Sequence, residues 1–285
     1  VSVRRTESRF RGPRGTSLQR RGWLAAEPER VLVVVHGFAE HSGRYDHFGA
    51  WFARRGCAVH AYDQQGHGLS QGRRGHFERF EHLLDDLEAL LEVVRQEHPG
   101  LGVALVGHSM GGLVTAALLR ERRPAVLGAV LSGPLLALSS ELPRARIWAA
   151  SALRRLLPRL GVDAGVPPEG LSRDPEVVRR YVEDPLVFRK MTVSAASEIL
   201  DAVRRTAAGA AELEVPVLLL HGEEDRLCAP AGSRRFHDGL RAPGSALRIY
   251  PGLRHEIFNE PERERVFEDL LEGILAREAE GKGRA

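Results

Sequence analysis

Lysine and cysteine are almost missing from this chain of 285 residues: the only lysines are Lys190 and Lys282, the only cysteines Cys57 and Cys228. Two cysteines allow one disulfide at most, so no cross-linked framework holds the fold. No apolar run approaches the roughly 20 residues that span a bilayer. Val1 to Phe10 are mixed and basic, without the apolar segment of a secretory signal, so a soluble cytoplasmic protein is the expectation. A charge excess is missing too: 41 basic residues face 38 acidic ones, for a formal charge of +3. That excludes the concentrated basic surplus of a dedicated nucleic-acid binder. Neither lysine completes a Walker loop, and the twelve histidines make no HxxxH pair with an intervening acid on a helix and no Cys/His zinc spacing. No cofactor and no metal are expected.

What is present is 43% apolar and 28% charged residues, the balance of a soluble globular protein. Short β-rich runs alternate with amphipathic stretches, the pattern of an α/β fold with a mostly parallel central sheet flanked by helices. Val31 to Val35 is an unbroken β-branched run, as in a strand buried on both faces. Further strands are expected at 57–62, 103–106, 127–131, 217–220 and 246–250. Helices are expected within 78–98, over 110–122, after Pro230, and over 261–276. The first thirty residues, broken by Gly and Pro, read as an antiparallel edge hairpin. From Pro134 to about Ala211 the rhythm stops: the stretch is helical in composition, punctuated by six further prolines, and has no convincing strand. The expected organisation is a core of residues 1–133 and 212–285 with an inserted helical cap over 134–211.

The most informative string is Val106-Gly-His-Ser-Met-Gly-Gly112. Gly-x-Ser-x-Gly between an apolar strand and a helix places Ser109 on a sharp turn, where Gly107 and Gly111 remove the side chains that would collide. The following helix turns its free amides and positive dipole end toward an oxyanion formed there. A serine hydroxyl needs a base, and the base needs an orienting acid. Two later strand ends supply them in the expected order: Asp225, with Glu223 and Glu224 as competitors, and His255. The loop after Val35 supplies the second oxyanion donor, so the backbone amides of Phe38 and Met110 are the expected oxyanion hole. His36 in that loop reads as a structural hydrogen bonder. A carboxylate nucleophile, as epoxide or haloalkane hydrolysis would need, is ruled out by Ser109 itself.

Five strings, in order from about residue 30 to 260, together resemble the α/β-hydrolase superfamily and its monoacylglycerol lipase and lysophospholipase branch. They are His36-Gly-Phe-Ala-Glu-His-Ser-Gly-Arg-Tyr45, Tyr62-Asp-Gln-Gln-Gly-His-Gly-Leu-Ser70, Gly107-His-Ser-Met-Gly-Gly112, Asp225-Arg-Leu-Cys228 and Tyr250-Pro-Gly-Leu-Arg-His-Glu256. The resemblance implies the same Ser-Asp-His triad, a helical cap and a single-chain acyl ester as substrate. Monoacylglycerol comes first, with lysophospholipids and simple carboxylic esters as rivals; a non-catalytic ligand-binding relative is the alternative of another class. It also suggests two roles for Glu40 and Arg44, bracing the oxyanion loop or contacting a glycerol hydroxyl, and sets Cys228 beside the active site. In the cap, Arg144 to Leu160 mixes leucines with arginines. Such a stretch suits transient contact with an anionic lipid surface, or a helix buried on one face. Nothing in the sequence fixes the oligomeric state.

Overall fold

The computed structural model describes residues 2–138 and 156–282. Eight strands form one sheet: β1 (Arg4–Arg11), β2 (Ser17–Leu24), β3 (Arg30–Val35), β4 (Cys57–Tyr62), β5 (Val103–His108), β6 (Gly128–Ser132), β9 (Val217–Gly222) and β10 (Ala246–Tyr250). Their spatial order is β1-β2-β4-β3-β5-β6-β9-β10. β1 pairs antiparallel with β2 and β2 with β4, while every neighbour from β4 to β10 is parallel. This is the α/β-hydrolase architecture, with the N-terminal hairpin on its edge.

β3 explains why both faces need cover. Val31, Val33 and Val35 point into one core, with Leu83 to Val94 of α2 (Glu81–Glu97) and Leu113 to Leu119 of α3 (Met110–Arg122). Leu32 and Val34 point into the other, with Phe48, Trp51 and Phe52 of α1 (Asp46–Ala53) and Phe267 and Leu270 of α7 (Arg263–Lys282). An apolar strand without alternation is thus split by its own period of two between two helical layers. The chain leaves β3 for β4 on one side and returns to β5 on the other. The crevice where that order reverses, beyond the carboxyl ends of β3 and β5, is where ligands of such sheets bind.

Between β6 and β9 lies the insertion. Its described part holds α4 (Pro175–Glu183) and α5 (Val193–Ala208) and departs from an all-helical cap: β7 (Gly161–Asp163) and β8 (Lys190–Thr192) pair antiparallel. Three-residue strands are too short to leave an alternating signal in sequence. Ala195, Ile199, Ala202 and Val203 of α5 join the same core as α2 and α3, so insertion and sheet share one packed interior along this helix. Of the Arg144 to Leu160 stretch, residues 144–155 lie outside the described residues. Residues 128–132 rather than 127–131 form β6, and α6 spans Pro230–Gly239. Helix α1 is not among the elements expected from sequence, although Phe48, Trp51 and Phe52 keep the i, i+3, i+4 spacing of a helix face.

Candidate active site

Ser109 sits between the last residue of β5 and the first of α3 with φ 54° and ψ −119°, a conformation costly for a residue with a side chain. The turn closes only because its neighbours are glycines. A Cβ on Gly111 would lie 2.0 Å from the carbonyl oxygen of Val35, and one on Gly107 2.5 Å from that of Gly111. The Ser109 N–H donates to Ser132 O at 3.0 Å, while its carbonyl accepts from Leu113 and Leu135 at 3.2 and 3.0 Å. The serine is thereby fixed from both sides.

Asp225 and His255 follow β9 and β10. The Asp225 Oδ2 lies 2.7 Å from Nδ1 of His255, and its Oδ1 accepts the backbone N–H groups of Leu227 and Cys228 at 2.8 and 2.9 Å. Glu223 and Glu224, the competing acids, are exposed, whereas Asp225 is buried. Burial alone would push the Asp225 carboxyl up; the charge of His255 and hydrogen bonds from His221 and His255 instead hold it well below the ordinary range. For His255 burial works downward, but Asp225, then Glu256 and Glu40, raise its pKa above the usual 6.5. The ring of His108 stands 4.7 Å from that of His255. Burial and the neighbouring His255 push His108 down to about 4, so it stays neutral there, with its Nδ1 3.1 Å from Ser132 O.

In the loop after β3, the Gly37 N–H donates to Glu40 Oε1 at 2.6 Å, so that amide is taken, and Phe38 is the next residue of the loop. Ala39 follows with φ 66°. Met110 opens α3, so its amide is one of the first-turn groups without an intrahelical acceptor. Phe38, Met110, Ser109 and His255 all line one cavity. His36 is a structural bonder, its Nδ1 2.7 Å from Gly37 O and its Nε2 accepting the Gln64 N–H at 3.0 Å.

Glu40 and Arg44 pair with each other and with further groups. Glu40 accepts from Gly37, from Tyr45 Oη at 2.9 Å and from Arg44 at 2.8 Å; Arg44 also forks onto both oxygens of Glu256 at 2.6 and 2.7 Å. One buried guanidinium therefore joins the loop after β3 to the loop after β10. Sequence reasoning missed Glu256, Tyr45 and His108, and also Tyr181, which lines the same cavity with its ring centre 4.9 Å from the Arg44 guanidinium carbon. Adjacency to His255 in the quoted string is the only signal that pointed at Glu256.

The cavity measures about 500 Å³ and its wall is mostly apolar. One end is polar, with Ser109, His255, Glu40 and Glu256. Much of the rest is built by the insertion: Val193, Ala196, Ile199 and Leu200 come from a single face of α5, the i, i+3, i+6, i+7 spacing of a helical stripe. The insertion also holds the base loop, since His255 and Glu256 N–H groups donate to Gly170 and Leu171 carbonyls at 3.4 and 2.8 Å.

Among the described residues, two groups have metal-ligand spacing: His60, Glu97 and His98, and Asp225, Cys228 and His255. In the first, both Glu97 oxygens are held in the fork of Arg20, at 2.8 Å each, and the two imidazoles bond each other at 2.9 Å. The second is the Asp225–His255 pair with a neighbouring thiol that burial keeps protonated. The two cysteines, both buried, form no disulfide.

The family model described as serine aminopeptidase, S33, matches residues 26–262. The chain is 36% identical over 279 residues to a monoacylglycerol lipase of Mycolicibacterium smegmatis, covering 97% of this chain and 99% of that protein. It is 34% identical over 247 residues to phospholipase YtpA of Bacillus subtilis, covering 86% and 95%. The crystal structure of a Paleococcus ferrophilus monoacylglycerol lipase superposes with a TM-score of 0.83 at 32% identity, covering 97% of this chain and all of that one.

Proposed function

The chain belongs to the serine aminopeptidase S33 family of serine hydrolases, and we propose that it hydrolyses monoacylglycerols to glycerol and free fatty acid. The observation that carries this reading is the 2.7 Å contact between Asp225 and His255 in the wall of an apolar cavity that Ser109 also lines. His255, neutral and held by Asp225, takes the Ser109 proton as the hydroxyl oxygen attacks the ester carbonyl. The tetrahedral oxyanion is received by the Phe38 and Met110 amides. Its collapse breaks the ester bond, and the glycerol oxygen leaves with the proton from His255. Water, deprotonated by His255, then attacks the acyl-enzyme, and fatty acid departs as Ser109 regains its proton.

The head group follows from charge. Two carboxylates, Glu40 and Glu256, face the polar end of the cavity, and the single Arg44 that pairs with them is not among the wall residues. A neutral, hydroxyl-bearing head group fits there better than a phosphate, which would meet like charge. Lysophospholipid hydrolysis is the second reading, favoured by the similarity to a phospholipase. The acyl chain lies along α5, in the apolar arm. Exposed Leu156, Leu157 and Leu160, with Arg159 among them, suit transient contact with an anionic lipid surface from which the chain enters. No described helix is long and apolar enough to cross a membrane. Cysteines without a disulfide suit the cytoplasm.

Labelling with a fluorophosphonate probe followed by peptide mass spectrometry tests the mechanism, with modification at Ser109 expected; modification elsewhere, or none, overturns it. A panel of monoacylglycerols, diacylglycerols, lysophosphatidylcholine and phenyl esters tests the substrate. Rates at background on every ester would favour the ligand-binding alternative, and a diacylglycerol or lysophospholipid preference would replace the monoacylglycerol reading alone.

A further inference from the structure

Asp225 serves two imidazoles. The Oδ2 that accepts from Nδ1 of His255 also lies 3.0 Å from Nε2 of His221, the residue before the last of β9. His221 and its partner Ser233 on α6 are both wholly buried. The ring's other nitrogen, Nδ1, is 2.8 Å from Ser233 Oγ, and Nε2 also lies 3.1 Å from the carbonyl oxygen of Cys228. Those partners select a tautomer. Nε2 faces two acceptors and no donor, so it must carry the proton; Nδ1 then accepts from the Ser233 hydroxyl, which alone among these groups can donate or accept. In the reverse tautomer a lone pair would face a carboxylate and a carbonyl in a site closed to water.

We propose that His221, with its tautomer set by Ser233, is a positioning residue that holds the Asp225 carboxylate for His255 and shares its charge. The inference rests on the triad reading above. Of the four hydrogen bonds that Asp225 accepts, two come from backbone N–H groups of its own loop and one from His255. His221, on β9 itself, supplies the fourth. It fixes the plane of the carboxylate against the strand, and it withdraws charge from the oxygen that stabilises a His255 cation. Removing it therefore has two effects: the acid and base lose registration, and the undiluted carboxylate holds the His255 proton more strongly. The other charged or titratable groups about His255, namely Glu256, Glu40, His108 and Cys228 with Arg44 behind them, stay unchanged in such a variant.

The test compares wild type, His221→Leu, His221→Gln and Ser233→Ala by kcat/KM against pH on a soluble monoacylglycerol, with thermal unfolding and fluorophosphonate labelling alongside. His221→Leu is expected to lower kcat/KM by about tenfold or more and to move the acid limb to higher pH. His221→Gln, whose amide nitrogen reproduces the Nε2 donor, should recover most of the rate and the wild-type limb. Ser233→Ala should show a smaller change in the same direction. A limb that stays in place in His221→Leu, or a rate within twofold of wild type, overturns the proposal, as does an equal loss in His221→Gln. Should His221→Leu fail to fold, a wild-type limb and rate in Ser233→Ala together with a full loss in folded His221→Gln overturn it. Wild-type enzyme that labels elsewhere than Ser109 would instead mean that the triad reading itself is wrong.

Discussion

The two ends of the cavity are built on opposite principles. At the polar end, each group has an assigned partner: Glu40 takes Gly37, Tyr45 and Arg44, and Arg44 takes Glu256, which also takes Asn259. At the apolar end, Val193, Ala196, Ile199, Leu200 and Met191 line the wall by shape alone. Buried polar groups are expensive unless satisfied, so a network of them has one arrangement and holds atoms in place. Apolar walls exchange volume for volume at small cost. The difference teaches where chemistry is fixed and where selectivity is free to vary.

The sharpest way to break that contrast is Ser109→Ala. Alanine has the same backbone demands at φ 54° and removes only the nucleophilic oxygen. Ester hydrolysis should fall by at least about 10⁴-fold while the unfolding midpoint stays within a degree or two of wild type (a surface-turn change of about 0.5 kcal/mol or less). Residual rates near wild type would mean another nucleophile. Next comes Arg44→Met, which keeps the stem but leaves two buried carboxylates facing each other. Breaking a buried pair costs about 3–5 kcal/mol, so denaturant unfolding should show a loss in that range, and kcat/KM should drop at least tenfold as the oxyanion loop loosens. A loss below about 1 kcal/mol would show that the loop is held by something other than this network.

The contrast also explains what sequence did and did not disclose. The places of Ser109, Asp225 and His255 were legible because each follows a strand end, and strand ends announce themselves by apolar runs stopped at Gly, Asp or Pro. The double burial of β3 was legible for the same reason. The brace was not. Glu256 reads like any loop acid, and its burial exists only because Arg44, more than two hundred residues earlier, arrives opposite it. His221 was visible only as the residue before Gly222. The insertion was least legible: three-residue strands carry no period, and wall residues of α5 look like any helix stripe until the cavity beneath them is seen.

Two smaller effects sharpen the comparison. His255 has its pKa raised, so below that value it is protonated and accepts nothing from Ser109; activity rises only as pH passes through the shifted value. The acid limb of kcat/KM should therefore lie above 6.5, the ordinary histidine value. Glu256→Gln removes one of the charges that raise it, so the limb should move down in that variant. A limb at or below 6.5 in wild type would remove the polar network from the account of the base.

The apolar end gives the smallest effect on rate and the largest on choice. Ala196 projects from α5 into a cavity of about 500 Å³, and Ala196→Phe fills part of its length without touching Ser109, His255 or their partners. Because the wall is apolar and unbonded, the ring costs no hydrogen bond, so stability should change by no more than about 1–2 kcal/mol. Short acyl chains that end before the ring should be hydrolysed within about threefold of the wild-type rate. Longer chains lose the space of several methylenes, each worth about 0.8 kcal/mol when buried, so the long-to-short ratio of kcat/KM should fall by about tenfold or more. Equal losses for both lengths would mean that this wall positions the ester as well as the chain, and the division between a fixed polar end and an exchangeable apolar end would not hold.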